Sequence, residues 1–421
     1  MLWLGTAKRC ITPQKPVRLC GYATRTAAFD GVKEDIWVRV HALQDGTERL
    51  FVVYADLLWW NSTFVDRIRR EIFTQYGIGA QNLLFVASHN HSGPGTGNCF
   101  TPLLETGEEA YADFLSEAVL SALQAALENQ EPVTVRRYET KCAMNVYRRV
   151  KTADGVLMRP NYAVPADWAL TALGFYRRDG SLKGAMLHYP CHANLSNENA
   201  VQPDYPGIAL RLLDEAFPGS LSLFLQGCTA DLRPNSVLGD RFVPCDYERV
   251  RSFAQNFFQQ CRTLLQRPGK SMDGALRVSS LFLKLPLDQP FEKSDVQAAL
   301  HDPEEAKRQW AEKVIEKNFR PYETMEIACV VIAGQILFGF NAEMSQAYAA
   351  FARVICPGAL CAGYTNGMIG YLAAAGQIRE GGYEPVGSAV YFALAGTYSV
   401  GVEALIHDAM EKLSQDGAAK K

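Results

Sequence analysis

Leu50-Phe51-Val52-Val53-Tyr54-Ala55-Asp56 is the stretch from which the fold is read. Six apolar residues with no polar alternation end at an aspartate, the pattern of an internal strand. Residues 82–87 make a second such run. Between the two, Ser62 can cap a helix over residues 62–75, with Val65, Ile68, Ile72 and Phe73 on one face. The alternation continues with a helix over 111–127, a strand over 185–188, a helix over 208–216 and a strand over 221–225. This β-α-β-α order predicts an α/β protein with a mixed β-sheet core flanked by helices. Residues 327–340 are apolar but broken at Gly334-Gln335. That predicts two short buried strands around a turn, and the stretch is too short for a bilayer. Residues 289–321 are charged and contain prolines, so they are expected at the solvated surface. No linker with a composition shift and no internal repeat is visible. The expectation is one domain over residues 1–415 with a frayed tail at 416–421.

Composition narrows the function. Of 421 residues, 48% are apolar and 21% charged, which excludes a disordered chain. Lys+Arg 42 against Asp+Glu 45 leaves −3, so no net charge draws the chain to nucleic acid or an anionic membrane. The first residues lack the charged start and long apolar stretch of a signal peptide. The 11 cysteines are scattered without a Cys-x-x-Cys, which suits buried, reduced thiols in the cytoplasm.

Seven histidines are few enough to weigh singly. His41 lies in a strand-like run and is expected to be packed; His301 and His407 lie in polar or helical surroundings. The other four come in two pairs, each after an apolar strand. In Ser88-His89-Asn90-His91-Ser92-Gly93-Pro94-Gly95, an extended segment would turn both imidazoles to one side, at a loop where a cleft can open. In His188-Tyr189-Pro190-Cys191-His192, Pro190 disfavours a helical pair, so one histidine is expected to join the first two, and His192 is the better placed. A catalytic zinc takes three protein ligands and keeps a position for water. Glu343, after the apolar run 338–340, is a candidate for the remaining oxygen donor.

These residues resemble a known family. Ser88 to Gly95 is similar to the His-x-His-Ser/Ala-Gly-Pro-Gly signature of the neutral ceramidase superfamily. The likeness continues in order through Gly21-Tyr22, Tyr147-Arg148-Arg149, Cys191-His192, Asp204-Tyr205-Pro206-Gly207, Gln226-Gly227, Asp231 to Asn235, Ala342-Glu343, and 366–384. The resemblance implies the ceramidase catalytic-domain fold without its C-terminal immunoglobulin-like domain. It implies a zinc ion (Zn2+) held by His89, His192, Glu343 and Tyr371, with His91 lining the site beside the activated water. It implies that Arg148 contacts the substrate or the reacting group, that Tyr383 donates to the oxyanion, and that the backbone of Gly21 borders the substrate pocket.

Two departures qualify what carries over. Arg233 stands where ceramidases have a serine, and the turn before Glu343 reads Asn341-Ala342 in place of Pro-Gly. A ceramidase meets its lipid at a membrane, yet no amphipathic membrane helix is evident. The expected function is zinc-dependent hydrolysis of the amide bond of a small polar N-acyl substrate, with Arg233 near that substrate. The alternatives are an esterase or sugar-derivative hydrolase at the same metal, and a metal-containing binding protein. No nucleic acid and no stable membrane insertion are expected.

Overall fold

The opening run is the strand Glu48–Ala55. Its alternate residues feed two different cores: Phe51, Val53 and Ala55 pack on one side, Leu50, Val52 and Tyr54 on the other. That explains a continuous apolar run where a half-exposed strand would alternate. The computed structural model describes residues 1–288 and 291–419. In it, the strands Leu2–Cys10, Trp37–Asp45 and Glu48–Ala55 are antiparallel in turn, and Leu83–Ala87 pairs parallel to the last. Helix Ser62–Tyr76 makes the crossover.

The same plan recurs twice. Thr134–Lys141, Ala169–Tyr176 and Leu182–Tyr189 are antiparallel, helix Asp204–Ala216 follows, and Leu221–Gln226 joins parallel. Arg277–Asp288, Tyr322–Ile332 and Gln335–Phe340 are antiparallel, helix Gln346–Ile355 follows, and Leu360–Ala362 joins parallel. The architecture therefore repeats although the sequence does not. Burial asks for apolar residues of suitable volume at each position, not for the same residues.

The ends of the three parallel strands meet. The Gly363 amide donates to the Gln226 carbonyl at 3.0 Å, and the Ala87 amide donates to the Tyr364 carbonyl at 3.2 Å. The Gln226 amide group donates to the carbonyls of Ser88 at 3.0 Å and Cys191 at 2.9 Å. The loops that carry His89, His192 and Glu343 are tied together at this junction, the carboxyl ends of the strands, where open α/β sheets bind ligands.

Several local expectations change. Asn61, not Ser62, caps the helix, its side-chain oxygen accepting from the Thr63 amide at 3.1 Å. Phe73 is 62% exposed, because the buried stripe runs through Phe64, Val65, Ile68 and Ile72 and Phe73 falls beside it. The charged region after residues 289–290, which lie outside the described residues, forms helices Lys293–Ala299 and Glu305–Glu316 and buries Val296, Trp310 and Val314. The tail is helical further than expected: Val402–Ala419 is one helix, its backbone ladder continuing past the last buried contact at Leu413, and residues 420–421 lie outside the described residues. All eleven cysteines are free, and no helix among the described residues is long and apolar enough to cross a membrane.

Candidate metal centre

The strand Leu83–Ala87 stops two residues before His89, and His89 takes a left-handed φ of 63°. The segment is therefore not extended, and the two imidazoles do not share a side through strand alternation. They converge because the loop is pinned at each step: Ser88 donates to the Ala55 carbonyl, Asn90 to that of Leu57 and His91 to that of Ala193. The left-handed backbone at a residue with a side chain costs on the order of 1–2 kcal/mol, and three backbone anchors over-determine it.

His192 follows Pro190 and Cys191 beyond the strand Leu182–Tyr189. Its Nε2 lies 2.9 Å from Nε2 of His89, and Nε2 of His91 lies 3.2 Å from each. Donors about 2.0–2.1 Å from a tetrahedral metal stand roughly 3.3 Å apart, so the triangle has the size of a coordination face. Glu343 Oε2 is 3.5 Å from His89 Nε2. Glu343 and Tyr371 are cross-strand partners in a short parallel pair. The chain thus brings His89, His91, His192, Glu343 and, through Glu343, Tyr371 to one place. His188, by contrast, is held away by its bond to the Cys361 carbonyl at 2.8 Å.

Protonation tests whether a cation fits. His89 Nδ1 faces the Leu58 carbonyl at 3.0 Å and His192 Nδ1 faces that of Thr229 at 3.4 Å. A carbonyl only accepts, so each Nδ1 carries the proton and each Nε2 presents a lone pair. Burial lowers the His89 pKa to about 3 and drives that of His192 lower as well, so neither ring is charged. Two lone pairs facing at 2.9 Å with no proton between them suit a bound cation, and the anchored Nδ1 groups are the outer contacts that metal-binding imidazoles make. Glu343 is wholly buried, and burial raises its pKa to about 8 despite the opposing charge of Arg148. A cation in the triangle would restore its ionised form.

His91 differs from the other two. It is 9% exposed against 1% for each of His89 and His192. Its Nδ1 rests against the Gly21 backbone with no well-formed hydrogen bond. Gly21 has a φ of 93°, and a Cβ there would fall 2.5 Å from that nitrogen. Gly21→Ala is therefore expected to displace the His91 ring, to lower turnover by about 10²-fold, and to leave bound metal near the wild-type amount. Metal analysis alongside kcat checks it; unchanged turnover would remove Gly21 from the site.

Arg148 is 2% exposed, and its Nε donates to Glu384 Oε1 at 2.8 Å. Its guanidinium lies over the Tyr371 ring at 5.5 Å, and Tyr371 packs edge-on against Tyr383 at 5.6 Å. Arg149 binds the other oxygen of Glu384. Arg233 sits on the short strand Leu232–Pro234, paired with Asn145–Thr152. It does not pair with Asp231, whose carboxylate is taken by Ser345, Gln346 and Gln377. A cleft of about 980 Å³ is lined by Tyr147, Asp231, Gln346 and Gln377 and by none of the candidate donors.

Sequence reading missed Glu384 as the clamp on two arginines, Gln226 as the tie between the histidine loops, and Tyr364. The Tyr364 ring stacks on His89 at 4.1 Å, and its hydroxyl meets Thr229 Oγ1 at 2.6 Å. Glu384 and Gln226 both fall within the stretches that carry the resemblance; Tyr364 has no signal in the sequence alone.

Residues 3–249, more than half of the chain, match the family model described as the N-terminal region of neutral/alkaline non-lysosomal ceramidase. The chain belongs to that ceramidase family. No curated protein matches it in sequence. Among solved structures it is similar to the neutral ceramidase from Pseudomonas aeruginosa, with a TM-score of 0.78 and 19% identity, covering 99% of this chain and 75% of that one. It is also similar to a structure described as a ceramidase complexed with C2, with a TM-score of 0.80 and 16% identity, covering 100% of this chain and 75% of that one. At these identities the structural likeness establishes the ceramidase fold.

Proposed function

We propose that residues 1–415 are one catalytic domain that hydrolyses the C–N amide bond of a small polar N-acyl compound, with zinc held by His89, His192, Glu343 and Tyr371. Membership of a ceramidase family makes the chain an amide hydrolase; the metal, the roles of single residues and the substrate are the proposal. One observation carries it: the lone pairs of His89 and His192 face each other at 2.9 Å, with a buried carboxylate 3.5 Å away. Nitrogen and oxygen donors of this kind suit zinc. When bound, zinc lowers the pKa of a water towards about 7 and polarises a carbonyl.

The chain's own residues supply the rest. His91, the most exposed of the three imidazoles, takes the proton as the water oxygen adds to the acyl carbon. It returns the proton to nitrogen as the C–N bond breaks, so the products are a carboxylic acid and an amine. Arg148, fixed by Glu384, and the Tyr383 hydroxyl stabilise the negative charge that builds on the former carbonyl oxygen. Gly21 leaves room for the His91 ring. Eleven free thiols support a cytoplasmic location.

The test is turnover of matched N-acyl and O-acyl compounds, lost on chelation and restored by zinc. Polar N-acyl compounds are expected to turn over faster than a short-chain ceramide. Faster ceramide turnover would overturn the substrate assignment, and faster O-acyl turnover would make the protein an esterase. Chelator-insensitive turnover would remove the metal, and no turnover of any compound would leave a binding protein.

A further inference from the structure

Arg25, Arg148 and Arg233 lie near the candidate centre, with Arg149 beyond Arg148 on Glu384, and all but Arg233 have their partners within the chain. Arg148 and Arg149 share the Glu384 carboxylate. Arg25 donates to backbone carbonyls, those of His91 and, at 2.7 Å, Glu198. Arg233 has neither. No carboxylate lies within salt-bridge reach of it among the described residues, and its Nε is buried with no hydrogen-bond partner. Its contacts are the face of Phe242, with the guanidinium carbon 4.8 Å from the ring centre, and the Met158 sulfur at 3.8 Å from Nη1. An aromatic face and a thioether orient a guanidinium without satisfying its donors.

We propose that Arg233 is the receptor for an oxyanion on the substrate, so that the N-acyl compound cleaved here carries a carboxylate or a phosphate a short distance from the scissile bond. This rests on the hydrolase reading above. The position of Arg233 supports it: it lies on the strand paired with the one that carries Arg148, opposite Val146, and the Arg148 amide donates to the Asp231 carbonyl two residues before it. Tyr22, which packs against His91 with ring centres 5.1 Å apart, is within reach of its charge. The buried Nε without a partner is costly unless a ligand completes it. Guanidinium geometry matches a two-oxygen anion, which can accept two parallel N–H bonds.

The experiment uses the zinc-loaded full chain and three matched probes: N-acetylglycine, N-acetyl-O-phosphoethanolamine and the neutral N-acetylethanolamine. Binding is read by calorimetry and cleavage by amine release, for the wild type, Arg233→Gln and Arg233→Ser, with zinc content and melting temperature as checks on folding. The wild type is expected to bind at least one anionic probe about 10- to 100-fold more tightly than the neutral one. Both variants should lose that preference while binding the neutral probe within about twofold of wild type. The better of the two anions assigns the group as carboxylate or phosphate. Equal wild-type binding of all three probes, or a preference that survives in both variants, would overturn the proposal. Cleavage of the neutral probe with no anion preference would leave the hydrolase reading standing and this one refuted. Arg233-dependent anion binding with no cleavage of any probe would do the reverse.

Discussion

His89→Ala is expected to purify with little zinc and no activity, whereas His91→Ala keeps most of its zinc and loses about 10²-fold or more in turnover. The geometry makes this a demanding test. Nε2 of His91 is 3.2 Å from those of both His89 and His192, so distance alone would admit it as a third imidazole donor. Two features separate it from a ligand. The Nδ1 atoms of His89 and His192 face backbone carbonyls, whereas His91 lies against Gly21 without a formed bond. His91 is also the ring that solvent reaches. A proton carrier must meet water and leaving group, while a ligand is best fixed and dry. Metal analysis of the two variants, dialysed side by side, decides between the roles. Equal loss of zinc would make His91 a ligand.

Glu384→Gln is expected to be the most damaging change away from the metal donors. Glu384 is 4% exposed and pairs with both Arg148 and Arg149, which are 2% and 3% exposed. Removing its charge strands the buried Arg148 guanidinium and leaves Arg149 with the Glu380 carboxylate alone, at 3.4 Å, and breaking a buried pair from one side costs about 3–5 kcal/mol. Turnover should fall as well, because Arg148 loses the bond that aims it past Tyr371. Burial opposes ionisation of Glu384, but Arg148 and Arg149 outweigh it and hold the pKa below the ordinary glutamate value. A carboxyl with a depressed pKa stabilises the fold above its unfolded value of about 4.3, and that contribution is lost as pH falls through the folded value. The stability gap between wild type and Glu384→Gln should therefore be full at neutral pH and close in acid, below about pH 4.3. Denaturant unfolding of both proteins across pH measures it. A gap that persists unchanged into acid would mean that the carboxylate charge is not what holds the arginines.

The sequence carried the fold class through its apolar runs. Residues 50–55 are apolar throughout because both faces of that strand are buried, and such runs separated by helical periodicity leave few alternatives to an α/β fold. It also carried the identity of the histidine loops, because glycine and proline after His91 and proline before His192 mark chain reversals at strand ends. What it left unseen was whatever depends on distant chain segments meeting. The threefold recurrence of the strand plan has no sequence trace, since burial selects residue type and not identity. Phe73 obeyed helical periodicity and still fell outside, because the packing partners of its helix set the width of the buried face.

At the centre the same division holds. His89 and His91 were legible as a pair, but for the wrong geometric reason: the backbone at His89 is left-handed, and hydrogen bonds to the carbonyls of residues 55, 57 and 193 hold the loop that aims the rings. Glu343 and Tyr371 are adjacent through a two-residue strand pairing that no local pattern announces. Arg233 shows most plainly where the limit lies. Asp231 stands two residues before it in the sequence, a spacing open to an ion pair as readily as to a substrate contact. Only the tertiary structure, which gives Asp231 to Ser345, Gln346 and Gln377, leaves that guanidinium without an acid in the chain. Local sequence determines which residues can form strands, turns and donors, because those preferences act over a few bonds. Which donors share a site, and which charge remains unpaired, is decided by contacts across more than a hundred residues, and those exist only once the three sheets have packed.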